Sequence, residues 1–314
     1  MVNIDVSKPL KPRVDFVNIV IVGQGAIGLL WYHQLSKACS NNVQLLCSSR
    51  ITSAPQEVRL TDIESLVISR PLKIANDEAL ARADIILICV KSYHIESAIK
   101  SLKGKIKHST SIVFCHNGML DTEIFSSISQ PCYTLLTTHA SKVIEPFHIA
   151  HTGIGHNDIG LLQGVANSDR QKALIQSLST ALPSLSFTTH IKSKQWLKLA
   201  INCVINPITA IYDIDNGQIS AKKYSQLITN LLEEVIVVAQ HDGVTFELEQ
   251  LSAQIRKVAK HTAKNCSSMR SDVQKKRLTE IDYINGYVIN LAKKFAINTS
   301  YNERIVNQVK NLGK

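Results

Sequence analysis

The chain has 314 residues, 45% of them hydrophobic and only 19% charged, so a disordered protein and a single small domain are both excluded. A formal net charge of +10 suits an anionic ligand, but there is no long Lys/Arg block, zinc-finger spacing or RNP-type aromatic motif, and nucleic acid is not expected as a partner. No apolar run reaches the ~20 residues of a membrane span, and residues 1–16 lack the apolar core of a signal peptide. We therefore expect a cytoplasmic protein without a membrane partner, preceded by an N-terminal extension over residues 1–16. Seven scattered cysteines without a CxxC pair are expected to be reduced.

Apolar strand signals separated by helical segments fill the N-terminal half. A helical pattern running from Ala26 to about Ala38 follows the first strand signal. The strand candidates are "FVNIVIV" (Phe16–Val22), "NVQLLC" (Asn42–Cys47), "DIILICV" (Asp84–Val90), "SIVFC" (Ser111–Cys115) and "YTLLTT" (Tyr133–Thr138). This alternation predicts a parallel sheet covered by helices on both faces. The stretch "FHIAHTGIGHNDIGLL" (Phe147–Leu162) predicts added strands or a hairpin.

Beyond about Ser193 the pattern is helical almost to the end of the chain. Pro207 is expected to stop or kink the first of these helices. The stretch "YSQLITNLLEEVIVVAQHDG" predicts an amphipathic helix ending at Gly243. The predicted fold is therefore α/β, a Rossmann-type doubly wound sheet over residues 17–193 followed by an all-helical domain over residues 194–314.

The stretch "IVIVGQGAIG" places a glycine-rich loop between a strand and a helix. Gly23 permits the tight turn, Gly25 lets the backbone approach a pyrophosphate, and Gly28 lets the helix pack closely on the sheet. The free N–H groups at the start of the helix then bind phosphate. We expect a dinucleotide site here, formed by Gly23, Gln24, Gly25, Ala26, Ile27 and Gly28. An ordinary glycine-rich turn is the alternative.

The cofactor preference is predicted from the lack of an acidic residue after the glycine loop. Sites that prefer NAD usually carry an acidic residue ~20 positions after the glycine loop, to bind the ribose 2′-hydroxyl. No acidic residue occurs here between Asp15 and Glu57, and the second strand ends in "CSSR" instead. Ser48, Ser49 and Arg50 are suited to a 2′-phosphate, which predicts NADPH/NADP⁺ as the cofactor. A surface-loop arginine is the alternative for Arg50.

Two polar residues follow candidate parallel strands, at the edge where open α/β sheets bind ligands. Lys91 comes after "DIILICV" and Asn117 after "SIVFC". We expect Lys91 near the cofactor and Asn117 within reach of both cofactor and substrate. A metal site at His148, His151 and His156 is the weaker hypothesis, since no acid or thiol stands at metal spacing, and no metal is expected.

The stretch "KLAINCVIN" aligns three polar residues on an otherwise apolar helix. Lys198, Asn202 and Asn206 are spaced by four, so they form one narrow stripe. An ammonium stabilises negative charge on a reduced ketone and supplies its proton, and amides suit the hydroxyl and carboxylate of a small substrate. The alternative is a core helix with a polar edge.

These motifs together resemble the ketopantoate reductase (2-dehydropantoate 2-reductase) family, from about Asn18 to about Val309. The resemblance is carried by "GQGAIG", "VKS", "HNGM", "TTHA", "WLKLAINCVINPITAIYDIDNG", "NCSSM" and "TEIDYINGY", in that order. It implies a Rossmann domain joined to a helical domain, with the active site in the cleft between them. Residues 1–16 have no counterpart in it, and the loop carrying Arg50 is slightly longer than usual.

The resemblance also implies roles for individual residues. Lys198 corresponds to the catalytic lysine. The substrate contacts it implies are Asn117, Asn202, Asn206, Asn216 and Ser268. The further cofactor contacts it implies are Lys91, Asn117, Ser141 and Glu280. A helix cap is the alternative role for Ser268, and an exposed helical acid is the alternative for Glu280.

The sequence therefore predicts an NADPH-dependent enzyme that reduces ketopantoate to pantoate in pantothenate biosynthesis, as a monomer or homodimer. A reductase of another small 2-oxo acid is one alternative. A non-catalytic NADP-binding regulator is the other, although Lys198 and Glu280 are both present.

Overall fold

A computed structural model describes residues 17–38, 41–48, 51, 53–165 and 167–312, and the structural statements below concern these residues. Eleven strands are described within these ranges. They are β1 (Val17–Val22), β2 (Asn41–Leu46), β3 (Glu57–Thr61), β4 (Val67–Pro71), β5 (Ile85–Ile88), β6 (Ser111–Phe114), β7 (Cys132–Thr137), β8 (Ala140–Glu145), β9 (His148–Gly153), β10 (Asn157–Gln163) and β11 (Leu185–Phe187). The helices are α1 (Ala26–Leu35), α2 (Asp77–Arg82), α3 (Ile95–Leu102), α4 (Ser168–Ser179), α5 (Ile191–Tyr212), α6 (Ser225–His241), α7 (Leu248–His261), α8 (Ser268–Gln274), α9 (Asn285–Lys294) and α10 (Ser300–Leu312).

Seven strands form the main sheet, in the order β11-β10-β7-β6-β5-β1-β2. The five strands from β7 to β2 are parallel. The central strands β5 and β6 are buried on both faces, as is typical of a parallel sheet covered by helices. Only β10 runs antiparallel to its neighbour β7. Apolar side chains of α1 fill one face of the sheet, and those of α2 and α3 fill the other. The predicted α/β class with a helical C-terminal part is confirmed.

A second, four-stranded sheet in the order β4-β3-β9-β8 packs on the outer side of α1. The stretch Phe147–Leu162, expected to add strands or a hairpin, does add two strands, but they do not pair as a hairpin. β9 joins the small sheet, whereas β10 joins the main one. A glycine-containing segment between them, residues 154–156, carries the chain from one sheet to the other.

The helical part is built around α5, a 22-residue helix whose apolar faces are buried. Of the stop or kink expected at Pro207, the stop is wrong, because α5 continues through the proline to Tyr212 and ends at a left-handed Asp213. Proline has no N–H for the carbonyl four residues earlier, that of Cys203. The side-chain amide of Asn285 donates to this carbonyl at 3.0 Å, so the freed acceptor is not left unpaired.

α6 ends at His241, two residues before Gly243, which has φ +83°, so the helix ends beside the glycine as its sequence predicts. No helix in the described ranges is long and apolar enough to span a membrane. The division of the chain at residue 193 stays a prediction; α5 begins at Ile191.

Candidate active site

Four parallel strands bring the predicted site residues to one edge of the main sheet. The glycine loop follows β1, Lys91 follows β5, Asn117 follows β6, and Thr137 ends β7. Carboxyl ends of parallel strands meet at the same edge, where open α/β sheets bind ligands. The long helix α5 packs against β7 and β10 at this edge and brings its polar stripe to the same place.

Each of the three loop glycines is explained by a different structural feature. Gly23 has φ +109°, which side-chain-bearing residues rarely adopt, and a Cβ at Gly28 would lie 2.0 Å from the Gly23 carbonyl oxygen. A Cβ at Gly25 would meet no heavy atom within 4 Å, so the described chain leaves the space above it open. Helix α1 starts there without a side-chain cap and without an acid in its first turn. Its N–H groups therefore suit a phosphate, and the loop fits a dinucleotide.

The side chain of Gln24 reaches the end of the second strand. Its Oε1 accepts a hydrogen bond from the backbone N–H of Ser48 at 3.1 Å. The glycine loop is thereby tied to the segment that the sequence assigns to the 2′-phosphate. Ser49 and Arg50 lie outside the described residues.

A buried network joins Lys91 to the helical part of the chain. Lys91 Nζ lies 2.6 Å from Asp272 Oδ2 and 3.2 Å from Glu280 Oε2. Ser92 places its N–H at 3.0 Å and its hydroxyl at 2.9 Å from the other oxygen of Glu280. Glu280 is only 4% exposed, so its alternative role as an exposed acid is wrong. The network links the end of β5 to residues about 180 positions later in the chain.

Opposing charges keep this network ionised. Burial by itself raises the pKa of Glu280, but the Lys91 ammonium and the Ser92 hydrogen bonds outweigh burial and hold that pKa below its usual value. Burial by itself lowers the pKa of Lys91, but the carboxylates of Glu280 and Asp272 together raise it above its usual value. The pair is therefore a carboxylate and an ammonium at neutral pH.

The loop after β6 approaches the same region closely. Asn117 Nδ2 lies 3.4 Å from Glu280 Oε2. Gly118 has φ +76°, and a Cβ there would lie 2.2 Å from the backbone oxygen of Tyr283. Met119 N–H donates to that same oxygen at 2.9 Å. Glycine is required at position 118 because the two segments touch backbone to backbone.

Lys198 lies on the α5 stripe, with its ammonium enclosed between α5 and the sheet. Its Nζ donates to the backbone oxygen of Thr137 at 3.0 Å. Burial lowers the pKa of Lys198, and the carboxylate of Glu280 offsets part of that effect. Burial also lowers the pKa of the neighbouring His116 to about 4, and the charge of Lys198 acts in the same direction. The imidazole is thus neutral at pH 7, and Lys198 is the proton donor available beside it.

The two amides of the stripe are unused by the protein. Within the described residues, neither side chain forms a hydrogen bond, although Asn206 is only 7% exposed and Asn202 is half-buried. Neither amide is among the described side-chain atoms that are both fully buried and unpaired, so both remain accessible to a ligand. Side chains of this kind on a rigid helix suit a ligand with hydroxyl and carboxylate groups.

The remaining predicted substrate residues lie around the other end of α5. Asn216 is buried, and its Nδ2 donates to Thr262 Oγ1 at 3.0 Å while its Oδ1 has no partner among the described atoms. Ser268 is exposed as the first residue of α8. Its alternative role as a helix cap is wrong, because the cap is Ser267, whose hydroxyl accepts from Arg270 N–H at 3.1 Å.

Ser141 belongs to the small sheet and not to the main one. It is part of β8, and its hydroxyl donates to the backbone oxygen of Ala150 at 3.0 Å. Its predicted cofactor contact stays a prediction.

The structure also brings in residues that the sequence did not indicate. Lys91 contacts Asp272, Glu280 contacts Ser92, and Lys198 contacts Thr137. Ser92 directly follows Lys91 in "VKS", and Thr137 is the first residue of "TTHA", so both lie within motifs that carry the family resemblance. Asp272 offered no such signal, because its contact spans 181 positions.

The histidines considered as a metal site are engaged in separate contacts. His148 lies 2.9 Å from Thr61 Oγ1 and 3.2 Å from Glu145 Oε1, while His151 lies 3.0 Å from His139. His156 lies 3.1 Å from Thr138 Oγ1. Within the described ranges no group of three or more His, Cys, Asp or Glu side chains could hold a metal ion.

Comparison with known proteins places the chain in a family. Residues 19–164 match the model of the family described as ketopantoate reductase PanE/ApbA, and residues 190–313 match its C-terminal part. The 2-dehydropantoate 2-reductase of Vibrio cholerae is 34% identical over 298 residues, which is 94% of this chain and 98% of the relative.

Two solved structures share the fold. A PanE/ApbA family ketopantoate reductase from Ralstonia eutropha has a TM-score of 0.81 and 22% identity, covering 94% of this chain and 98% of its own. D-mandelate dehydrogenase, solved with NADH and anilino(oxo)acetate, has a TM-score of 0.83 and 20% identity, with the same coverage. Fold, site and relatives together define an oxidoreductase built on a Rossmann-type domain. The chain belongs to the ketopantoate reductase family.

Proposed function

We propose that this protein reduces 2-dehydropantoate (ketopantoate) to pantoate with NADPH, as a step of pantothenate biosynthesis in the cytoplasm. The observation that supports it best is the α5 stripe, where a buried ammonium with a lowered pKa stands beside two amides that the described chain does not use. Residues 17–193 form the cofactor domain and residues 194–314 the substrate domain in this proposal. The protein acts as a monomer or homodimer, with no nucleic acid, membrane or metal partner.

The chain's own residues have distinct tasks in this reaction. The glycine loop and the start of α1 hold the pyrophosphate of the cofactor. Lys91 and Glu280 hold its nicotinamide end, and the backbone of Ser141 makes a further cofactor contact. When bound, the reduced nicotinamide supplies a hydride to the ketone carbon of the substrate. Lys198 stabilises the negative charge that develops on the ketone oxygen and donates the proton to it.

Substrate recognition falls to the amides and to Ser268. Asn202, Asn206 and Asn216, together with Asn117 from the sheet edge, hold the hydroxyl and carboxylate ends. The N-terminus of α8 beside Ser268 favours the carboxylate, because helix N-termini attract negative charge. Glu280, held by Lys91 and Ser92, stays ionised and keeps the Lys91 ammonium in place.

A matched pair of substrates tests the proposal. Ketopantoate and 3,3-dimethyl-2-oxobutanoate differ only in the terminal hydroxyl, and NADPH oxidation is followed with each. A site built to bind that hydroxyl is expected to favour ketopantoate in kcat/KM by at least tenfold, the order of one lost buried hydrogen bond. Equal use of both compounds would instead support the second candidate, a reductase of another small 2-oxo acid, which the fold likeness to D-mandelate dehydrogenase favours.

The cofactor preference is tested in the same assay. We expect NADPH to be preferred over NADH, because no acidic residue stands between Asp15 and Glu57 and Arg50 follows the second strand. Arg50→Ala should raise the KM for NADPH and leave that for NADH nearly unchanged. Equal KM values for both cofactors in the wild type would contradict this part of the proposal, and absence of turnover with every 2-oxo acid would favour the non-catalytic alternative.

A further inference from the structure

The side chain of Arg270 joins two aspartates on the loop after α5. Its Nε donates to Asp213 Oδ1 at 2.7 Å, and its Nη1 donates to Asp215 Oδ1 at 2.5 Å. Gln274, one turn further along α8, adds a hydrogen bond to Asp213 Oδ1 at 2.8 Å. The Arg270 side chain is only 15% exposed, whereas those of Asp213 and Asp215 are 70% and 47% exposed. The planar guanidinium thus bridges two carboxylates two positions apart.

The two aspartates fix the backbone that leads to Asn216. Asp213 ends α5 in the left-handed conformation, with φ 49° and ψ 50°, which is uncommon for residues with a side chain although Asp tolerates it better than most. Asp215 precedes a short 3₁₀ helix that begins at Asn216, and its N–H donates to Gln218 Oε1 at 2.9 Å. Arg270 thus holds the carboxylates on the backbone that leads to Asn216, whose own N–H donates to Asn265 O at 3.1 Å and whose Nδ2 donates to Thr262 Oγ1 at 3.0 Å.

The backbone of Arg270 connects α8 to helix α5 through a second set of hydrogen bonds. Its N–H donates to the hydroxyl of Ser267, and that hydroxyl accepts from Thr209 Oγ1 at 2.7 Å. Thr209 stands three positions after Asn206 on α5, and Ser268 directly follows Ser267. Three of the proposed substrate contacts thus adjoin members of one hydrogen-bonded network.

We propose that Arg270 is a positioning residue for the substrate, which holds Asn216 and Ser268 in register with the α5 stripe without touching the substrate itself. This inference rests on the proposed function. Ion pairs with exposed carboxylates contribute little to stability. Ordering a loop before the ligand arrives strengthens binding, since the ligand no longer has to order it. We therefore expect loss of the two ion pairs to weaken substrate binding more than it lowers the free energy of unfolding.

The test compares three variants by steady-state kinetics. Arg270→Gln should raise the KM for ketopantoate roughly tenfold, by the cost of ordering one or two side chains at each binding event. The kcat and the KM for NADPH should stay within about twofold of wild type, because Arg270 contacts none of the residues assigned to them. Arg270→Lys keeps the charge without the fork geometry and should lie between the two.

Asp215→Asn provides a second approach, should Arg270→Gln fold poorly. It removes the charge while keeping an acceptor oxygen, and it should raise the same KM. The double variant Arg270→Gln/Asp215→Asn should show no further rise, because the first substitution already removes the interaction. Lys294→Gln is the control, since it removes an ion pair of 2.8 Å with Asp121, a carboxylate as exposed (48%) as that of Asp215 (47%). Its kinetics should equal those of wild type.

Three outcomes would overturn the inference. The first is an unchanged KM for ketopantoate in both Arg270→Gln and Asp215→Asn. The second is a KM that rises equally for ketopantoate and NADPH together with a fall in kcat, which indicates general disturbance. The third is a wild type that reduces no 2-oxo acid, which removes the proposed function and the inference with it; the first two leave the proposed function standing.

Discussion

At the scale of single residues, the proposed chemistry depends on Lys198. Its ammonium is held by the Thr137 carbonyl, and its pKa is lowered by burial. Lys198→Ala should reduce kcat by ~10²–10⁴, the usual range for the loss of a positioned acid. The dissociation constant of NADPH should change little, because Lys198 lies on the substrate helix. Pre-steady-state turnover and cofactor titration measure the two effects separately, and near-normal turnover in the variant would exclude Lys198 as the acid.

Sequence was a good guide to residues that share a regular element. The spacing of Lys198, Asn202 and Asn206 alone places them on one helix face. It could not distinguish Ser267 from Ser268 as the cap of α8, because helix starts differ by one or two residues between otherwise similar sequences. It also could not indicate Asp272, whose partner Lys91 is brought to it only by the packing of two domains.

At the scale of elements, α5 stays helical across Pro207 because Asn285 replaces the missing donor. Asn285 Nδ2 donates to Cys203 O at 3.0 Å and to Asn302 Oδ1 at 2.9 Å. Asn285→Ala leaves both buried acceptors unpaired and should lower the free energy of unfolding by about 1–3 kcal/mol. Urea unfolding measures this change, and Asn290→Ala, an exposed position on the same helix α9, is the control.

A second substitution makes this prediction specific. Pro207→Ala restores an N–H four residues after Cys203 and should recover part of the stability lost in Asn285→Ala. Strictly additive effects of the two substitutions would show that Asn285 does not act through the Cys203 carbonyl. Local sequence allowed a stop or a kink at Pro207, and it could not rule out the stop because the compensating amide lies 78 positions later than the proline.

At the scale of the whole molecule, buried His33 should make stability depend on pH. Both ring nitrogens are buried with no hydrogen-bond partner among the described atoms, and burial lowers the pKa of His33 to about 4. The unfolded chain, with a histidine pKa near 6.5, binds the proton first. The folded state therefore has its full stability above pH 6.5 and loses it as the pH falls toward 4, by on the order of 3 kcal/mol at most.

Urea unfolding at pH 7 and pH 5 measures this dependence. His33→Phe should show a smaller loss of stability between the two pH values than wild type, because the proton no longer has a binding site at that position. His108→Phe, at an exposed position, should retain the wild-type dependence. An identical loss in all three proteins would assign the acid sensitivity to other groups.

The architecture was predictable where strands are continuous apolar runs, as in β1 and β5. The small sheet was harder to foresee. β4 has only partly buried and exposed residues, and β3 pairs with β9 about 90 positions later. The apolar residues of its strands become buried only by packing against α1, which the local sequence of the strands does not indicate.

The hydrogen bond from Lys198 to Thr137 has a consequence for the timing of the catalytic cycle. The pKa of Lys198 is lowered where the ammonium is enclosed, so opening the cleft would return it to water and restore its affinity for a proton. In the proposed reaction we therefore expect a proton on Lys198 to favour an open cleft, and its transfer to the substrate to favour a closed one. Reprotonation after the reaction would then promote release of the product. We expect pantoate to dissociate from the complex with NADP⁺ faster as the pH falls below the ordinary lysine pKa of 10.5, as followed by stopped flow. Lys198→Gln should abolish this dependence, and a wild-type rate that is constant over this range would disprove the coupling.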